Sequence, residues 1–104
     1  MATRIVIDKD ILGWGEEHKR ELLEKYVDVL LVSKHPDLPQ RSFDETIARY
    51  CRKNGCDLMT GDAKSYTHFF EAGIKSVKIT KYGWWKKGDR PVYLIRIEGG
   101  EKGA

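Results

Sequence analysis

Short β-branched apolar runs alternate with longer stretches of helical periodicity along this chain, and that alternation leaves few folds open to it. Ile5-Val6-Ile7 predicts a buried strand over residues 4–8. Residues 16–26 then set Leu22, Leu23 and Tyr26 against a charged face of Glu16, Glu17, Lys19, Arg20, Glu21, Glu24 and Lys25, the pattern of an amphipathic helix. Residues 27–32 are a second apolar strand, and Pro36 and Pro39 punctuate the loop over 34–41. A second helix starts near Ser42, carries Phe43, Ile47, Tyr50 and Cys51 on one stripe, and stops at Asn54-Gly55. A strand over 57–60, a helix over 63–72 ending at Gly73, and strands over 75–80 and 92–97 complete the series. Gly83 and Gly88 assign 81–91 to a loop.

Strands separated by helices imply right-handed crossovers, so the expected fold is α/β. It has three layers, α/β/α, around a mostly parallel central sheet of about five strands. The last strand is antiparallel if residues 81–91 form a hairpin-like return. The chain of 104 residues suffices for one modest core. One domain over 1–98 with a mobile tail at 99–104 is expected. No apolar stretch approaches the roughly 18 residues of a membrane span, and no secretory signal is visible. The expected location is therefore cytoplasmic, with no membrane partner. Cys51 and Cys56 lack a second pair for a zinc site and are expected to be reduced and structural.

Three acids stand where a strand hands over to a helix. Asp8 closes the first apolar run, Asp44 opens the second helix and Asp62 follows Leu58-Met59-Thr60-Gly61. In a parallel α/β sheet such positions lie on one edge, where chemistry collects. Convergent carboxylates suit hard cations such as Mg²⁺ or Mn²⁺, and an ion there could activate water against a phosphodiester. Each acid also has a structural use. Ser42-x-x-Glu45 is a capping box, Asp44 complements the dipole of the helix it opens, and Asp62 is a candidate N-cap. Asp10 could cap a turn before Gly13.

The segments Ile5-Val6-Ile7-Asp8-Lys9-Asp10, Asp44-Glu45-Thr46-Ile47-Ala48-Arg49-Tyr50-Cys51 and Leu58-Met59-Thr60-Gly61-Asp62 resemble the three motifs of PIN-like domains, most closely those of small bacterial and archaeal proteins. The likeness covers roughly residues 4–80. It implies a metal-dependent nuclease, usually acting on RNA, with Asp8, Asp44 and Asp62 as catalytic metal ligands and Thr60 as the orienting hydroxyl. Asp10 stands where the family often has Asn, Ser or Thr, and Glu45 takes the place of a further acid of longer members. After Asp62 the chain reads Ala63-Lys64-Ser65-Tyr66, which keeps the family's aromatic but lacks its second acid. The alternative that follows is a PIN-like module that binds RNA or protein without cutting.

Charge is uneven. Residues 1–63 hold 10 Lys/Arg against 12 Asp/Glu, and residues 64–104 hold 9 against 4. An acidic part beside a basic one suits an enzyme that holds cations next to a polyanion, although a solvated surface gives the same asymmetry. The basic part includes Lys81-Tyr82-Gly83-Trp84-Trp85-Lys86-Lys87-Gly88-Asp89-Arg90, where aromatics alternate with cations as on a single-strand platform. Lys64, Trp85, Lys86, Lys87 and Arg90 are the expected contacts to single-stranded RNA. The competing use of the Trp pair is packing, one ring on the core and the other at a homodimer interface. If the enzyme is of the toxin type, its protein partner is an antitoxin. His18, His35 and His68 lack ligand spacing, and no Gly-rich phosphate loop is present.

Overall fold

Ile5, Val6 and Ile7 are wholly buried, which requires cover on both faces of the strand they form. The computed structural model describes residues 3–39, 44–74 and 76–97 of the chain. It contains strands β1 (Arg4–Ile7), β2 (Asp28–Leu31), β3 (Cys56–Thr60), β4 (Val77–Trp85) and β5 (Arg90–Ile97). Its helices are α1 (Leu12–Leu22), α2 (Asp44–Asn54) and α3 (Tyr66–Glu71). Short 3-10 turns, Lys9–Ile11 and Ala63–Ser65, lead into α1 and α3.

The five strands form one sheet in the order β2-β1-β3-β5-β4. β1 is parallel to β2 and β3, whereas β5 is antiparallel to both β3 and β4. The sheet is thus mixed, which corrects the expectation of a mostly parallel one. Residues 81–91 form the hairpin-like return, with only 86–89 outside the strands instead of the whole segment. β4 continues through Trp85, and β5 begins at Arg90 across a tight turn. Register slips between Lys81 and Gly83, where Gly83 accommodates a bulge instead of ending the strand.

Alternation along the strands divides the core in two. Ile5, Ile7, Val29, Leu31, Met59 and Val92 pack with Trp14 and Leu22 of α1. Val6, Leu30, Leu58 and Ile95 pack with Ile47, Ala48 and Cys51 of α2 and Phe69 of α3. Neighbouring residues serve opposite clusters, so the parallel strands read as unbroken apolar runs.

α1 starts at Leu12 and ends at Leu22, earlier at both ends than the charged pattern over 16–26 predicts. Gly13 and Gly15 lie inside it. A Cβ on Gly15 would fall 2.6 Å from Ile7 Cγ2, and one on Gly13 would fall 2.6 Å from the Trp85 ring. These glycines let the helix approach the sheet and the hairpin closely. The predicted helix over 63–72 is a 3-10 turn followed by a six-residue α3. The start of the capping box at Ser42 and the tail at 99–104 lie outside the described residues. Among the described residues, no helix is long and apolar enough to cross a membrane.

Candidate functional site

Register brings Ile7 level with Leu31 and Met59. The next residues, Asp8, Val32 and Thr60, therefore stand together at the carboxyl edge of the parallel strands. The Asp8 amide donates to the Met59 carbonyl at 2.9 Å, fixing its place beside β3. The residue is only 4% exposed. Oδ1 accepts from the Lys9 amide at 2.7 Å and so caps the first 3-10 turn. Oδ2 accepts from the Thr60 hydroxyl at 2.9 Å. Thr60 is itself fully buried, and its Oγ1 accepts from the Asp62 amide at 3.1 Å. A relay thus runs from the Asp62 N–H through the Thr60 O–H to the Asp8 carboxylate. Hydrogen bonds to a charged acceptor contribute about 1.5–3 kcal/mol each. They lock the Asp8 rotamer and offset part of the cost of burying its charge.

The other acids are placed differently. Asp62 is exposed, and its Oδ1 accepts from the Lys64 amide at 2.9 Å, so it caps the second 3-10 turn. Asp10 accepts from the Gly61 amide at 3.2 Å through both oxygens, and its Oδ2 accepts from Arg90 Nη1 at 3.3 Å. Asp44 opens α2, and its side chain lies outside the described residues. Glu45 is exposed and paired with Arg49 one turn on. Asp8, Asp10, Thr60 and Asp62 are therefore brought to one edge, while Glu45 is engaged along its own helix. The donors at this edge are carboxylates and a hydroxyl, the oxygen set that a hard divalent cation prefers. Among the described residues, no group of three or more His, Cys, Asp and Glu is spaced to hold a metal ion.

The basic expectations divide as well. β5 begins at the acidic edge because it runs antiparallel to β3, with Tyr93 opposite Thr60. That polarity carries Arg90 to Asp10. Lys87 pairs with Glu17 of α1 at 2.9 Å, and Lys64 and Lys86 are exposed. Trp85, an expected RNA contact, instead packs against the α1-side core, with its ring against Gly13 and Gly88. Its neighbour Trp84 has the outward ring, 51% exposed, with Lys81 Nζ 5.8 Å from the ring centre. His18 stacks on Trp14, His35 meets Tyr50 edge-on, and His68 pairs with Glu71.

Asp57 is a buried acid that sequence reasoning missed. It lies inside the apolar run of β3 and accepts from the Tyr26 hydroxyl at 2.8 Å and from the Ile97 amide at 3.1 Å. Burial raises its carboxyl above the usual range despite both donors, and raises the Tyr26 phenol too. An Asp between Cys56 and Leu58 was the available signal, since a charge there must be buried and satisfied. Cys51 and Cys56 are free and buried, as the sequence predicts. Burial pushes the Cys51 thiol well up and the Cys56 thiol to about 11. Comparison with protein-family models, curated proteins and solved structures finds no match for the chain.

Proposed function

We propose that this chain is a metal-dependent endoribonuclease with a three-layer, PIN-like arrangement. The observation that carries the reading is the buried Asp8 carboxylate, oriented by Thr60 at the carboxyl edge of parallel strands. An orienting network of this kind is what a catalytic carboxylate needs and exceeds what a turn cap needs. Asp8, Asp44 and Asp62 would hold Mg²⁺ or Mn²⁺, with Asp10 or Glu45 in support. The ion would lower the pKa of a water and offset charge building on the phosphate. Asp8 is held fixed because both its oxygens accept hydrogen bonds. Thr60 holds that carboxylate and, through the Asp62 amide, keeps the loop after β3 beside it. Arg90 and the exposed Lys64 and Lys86 would neutralise neighbouring phosphates. Hydrolysis would leave a 5′-phosphate and a 3′-hydroxyl.

The test is cleavage of single-stranded RNA with Mn²⁺, with and without chelator, by the wild type and by Asp8→Asn. Cleavage by the wild type that chelator and Asp8→Asn each abolish is expected. Equal cleavage by both proteins, or none by either across Mg²⁺ and Mn²⁺, would contradict the reading.

A second reading is a module that binds RNA without cutting. It is favoured by the Asp10–Arg90 ion pair, which engages one acid of the edge with a cation from the chain itself. It requires RNA binding that weakens with salt, persists in chelator and yields no product.

A further inference from the structure

A single row of side chains crosses the sheet from the acidic edge to the hairpin. Thr60 is directly opposite Tyr93, and Tyr93 is directly opposite Lys81. Directly opposed residues leave a sheet on the same face. The Thr60 hydroxyl reaches Asp8 on one side, and Lys81 Nζ lies over Trp84 on the other. Asp8, Thr60, Tyr93, Lys81 and Trp84 therefore lie in sequence on one face, on four adjacent strands. Three inter-strand steps of about 4.8 Å put the Lys81 backbone about 14 Å from that of Asp8.

We infer that the exposed Trp84–Lys81 end of this row is a binding subsite for single-stranded nucleic acid, with an unpaired base stacked on Trp84 and its phosphate held by Lys81, on the line that leads past Tyr93 toward the acidic edge. The inference deepens the ribonuclease reading, on which the choice of RNA among polyanions rests. Trp84 is an exposed aromatic ring on a strand face, and only an unpaired base can present its flat side to it. Lys81 Nζ lies over one side of that ring, so a nucleotide stacked on the other side meets both an aromatic surface and a nearby charge. The surrounding segment supplies charge complementarity, since residues 64–104 hold 9 Lys/Arg against 4 Asp/Glu. β4 is also the outer strand of the sheet, and among the described residues no further strand lies beyond it.

The experiment is fluorescence anisotropy with a fluorescein-labelled oligouridylate in EDTA, over a series of salt concentrations. Trp84→Ala should weaken binding roughly 5- to 150-fold, and Trp84→Phe should retain most of the affinity because it keeps a ring. Lys81→Ala should weaken binding and make the salt slope shallower by about 0.7. Thermal melts should match the wild type, because both side chains are exposed. Unchanged affinity in Trp84→Ala at low salt would overturn the inference, as would no binding by the wild type. A protein that dimerises through β4, and that Trp84→Ala turns monomeric without changing RNA affinity, would overturn it too. Because binding is read in chelator, the two readings can fail separately. Trp84-dependent binding without cleavage in any metal would sustain the subsite and remove the nuclease. Asp8-dependent cleavage with Trp84-independent binding would do the reverse.

Discussion

The parallel strands β1, β2 and β3 and the β4–β5 hairpin belong to one sheet but are built on different physical terms. β1 and β3 are covered on both faces, and every residue from Ile5 to Asp8 and from Cys56 to Thr60 is buried. Polar groups survive there only with partners, as Asp8 does with Thr60 and Asp57 with Tyr26. β4 is an outer strand, exposed at Lys78, Ile79, Thr80, Lys81 and Trp84, and its charges meet water. The chain thus places its fixed, desolvated carboxylate in the rigid part and its adaptable cations and exposed ring in the wet part. That division is the one the proposed nuclease site would use, with precision at one end and tolerance of sequence at the other.

The largest contrast should appear on truncating an isoleucine in each region. Ile7 is fully buried between β2, β3 and α1, so Ile7→Ala should cost about 2–5 kcal/mol. Ile79 is 38% exposed on β4, and Ile79→Ala should cost less than about 1 kcal/mol. Urea unfolding of both variants checks the difference, and equal costs would break the comparison.

A smaller effect tests the junction between the regions. Gly13 faces Trp85 so closely that Gly13→Ala forces the ring to move. A loss of about 1–3 kcal/mol is expected. Adding Trp85→Leu should make the second change cheaper than it is in the wild-type background, measured as a double-mutant cycle.

The smallest effect is pH-dependent. The Asp57 carboxyl is raised in the folded protein by burial, so the native state holds its proton to higher pH than the unfolded chain does. Its contribution to stability is therefore best below the unfolded pKa and declines as pH rises through the folded value. In Asp57→Asn, which keeps an oxygen for the Ile97 amide, this decline should vanish from the acid limb of the stability profile. A decline of wild-type size in the variant would assign it to another group.

The same division decided what was legible in the sequence. β1, β2 and β3 were readable because burial on both faces demands continuous apolar runs, and the acids that follow them were placed on one edge by topology alone. Strand direction was readable for β5 only conditionally, as antiparallel if residues 81–91 return as a hairpin, since an apolar run of that length fits either polarity. Gly13, Gly15 and Gly83 look like breakers in one dimension. In three dimensions two of them are close-approach positions in a helix and the third belongs to a bulge. That bulge also explains the exchanged tryptophans. Alternation dictates that Trp84 and Trp85 face opposite ways, but the register slip between Lys81 and Gly83 shifts the phase that decides which ring faces out. The structural alternative for Asp62, an N-cap, is what its side chain does, on the 3-10 turn that leads into α3, and the Thr60 relay to Asp8 became visible only when β1 and β3 were set side by side.

Binding of Mn²⁺ tests the central claim most directly, because it needs no knowledge of the RNA target. Isothermal titration of the wild type, Asp8→Asn, Asp44→Asn and Lys86→Ala should show saturable heat for the wild type and Lys86→Ala. That heat should be lost or at least tenfold weaker in both Asp variants, with thermal melts confirming that they are folded. No saturable heat in the wild type, or equal binding in all four proteins, would contradict a metal site on the carboxylate edge.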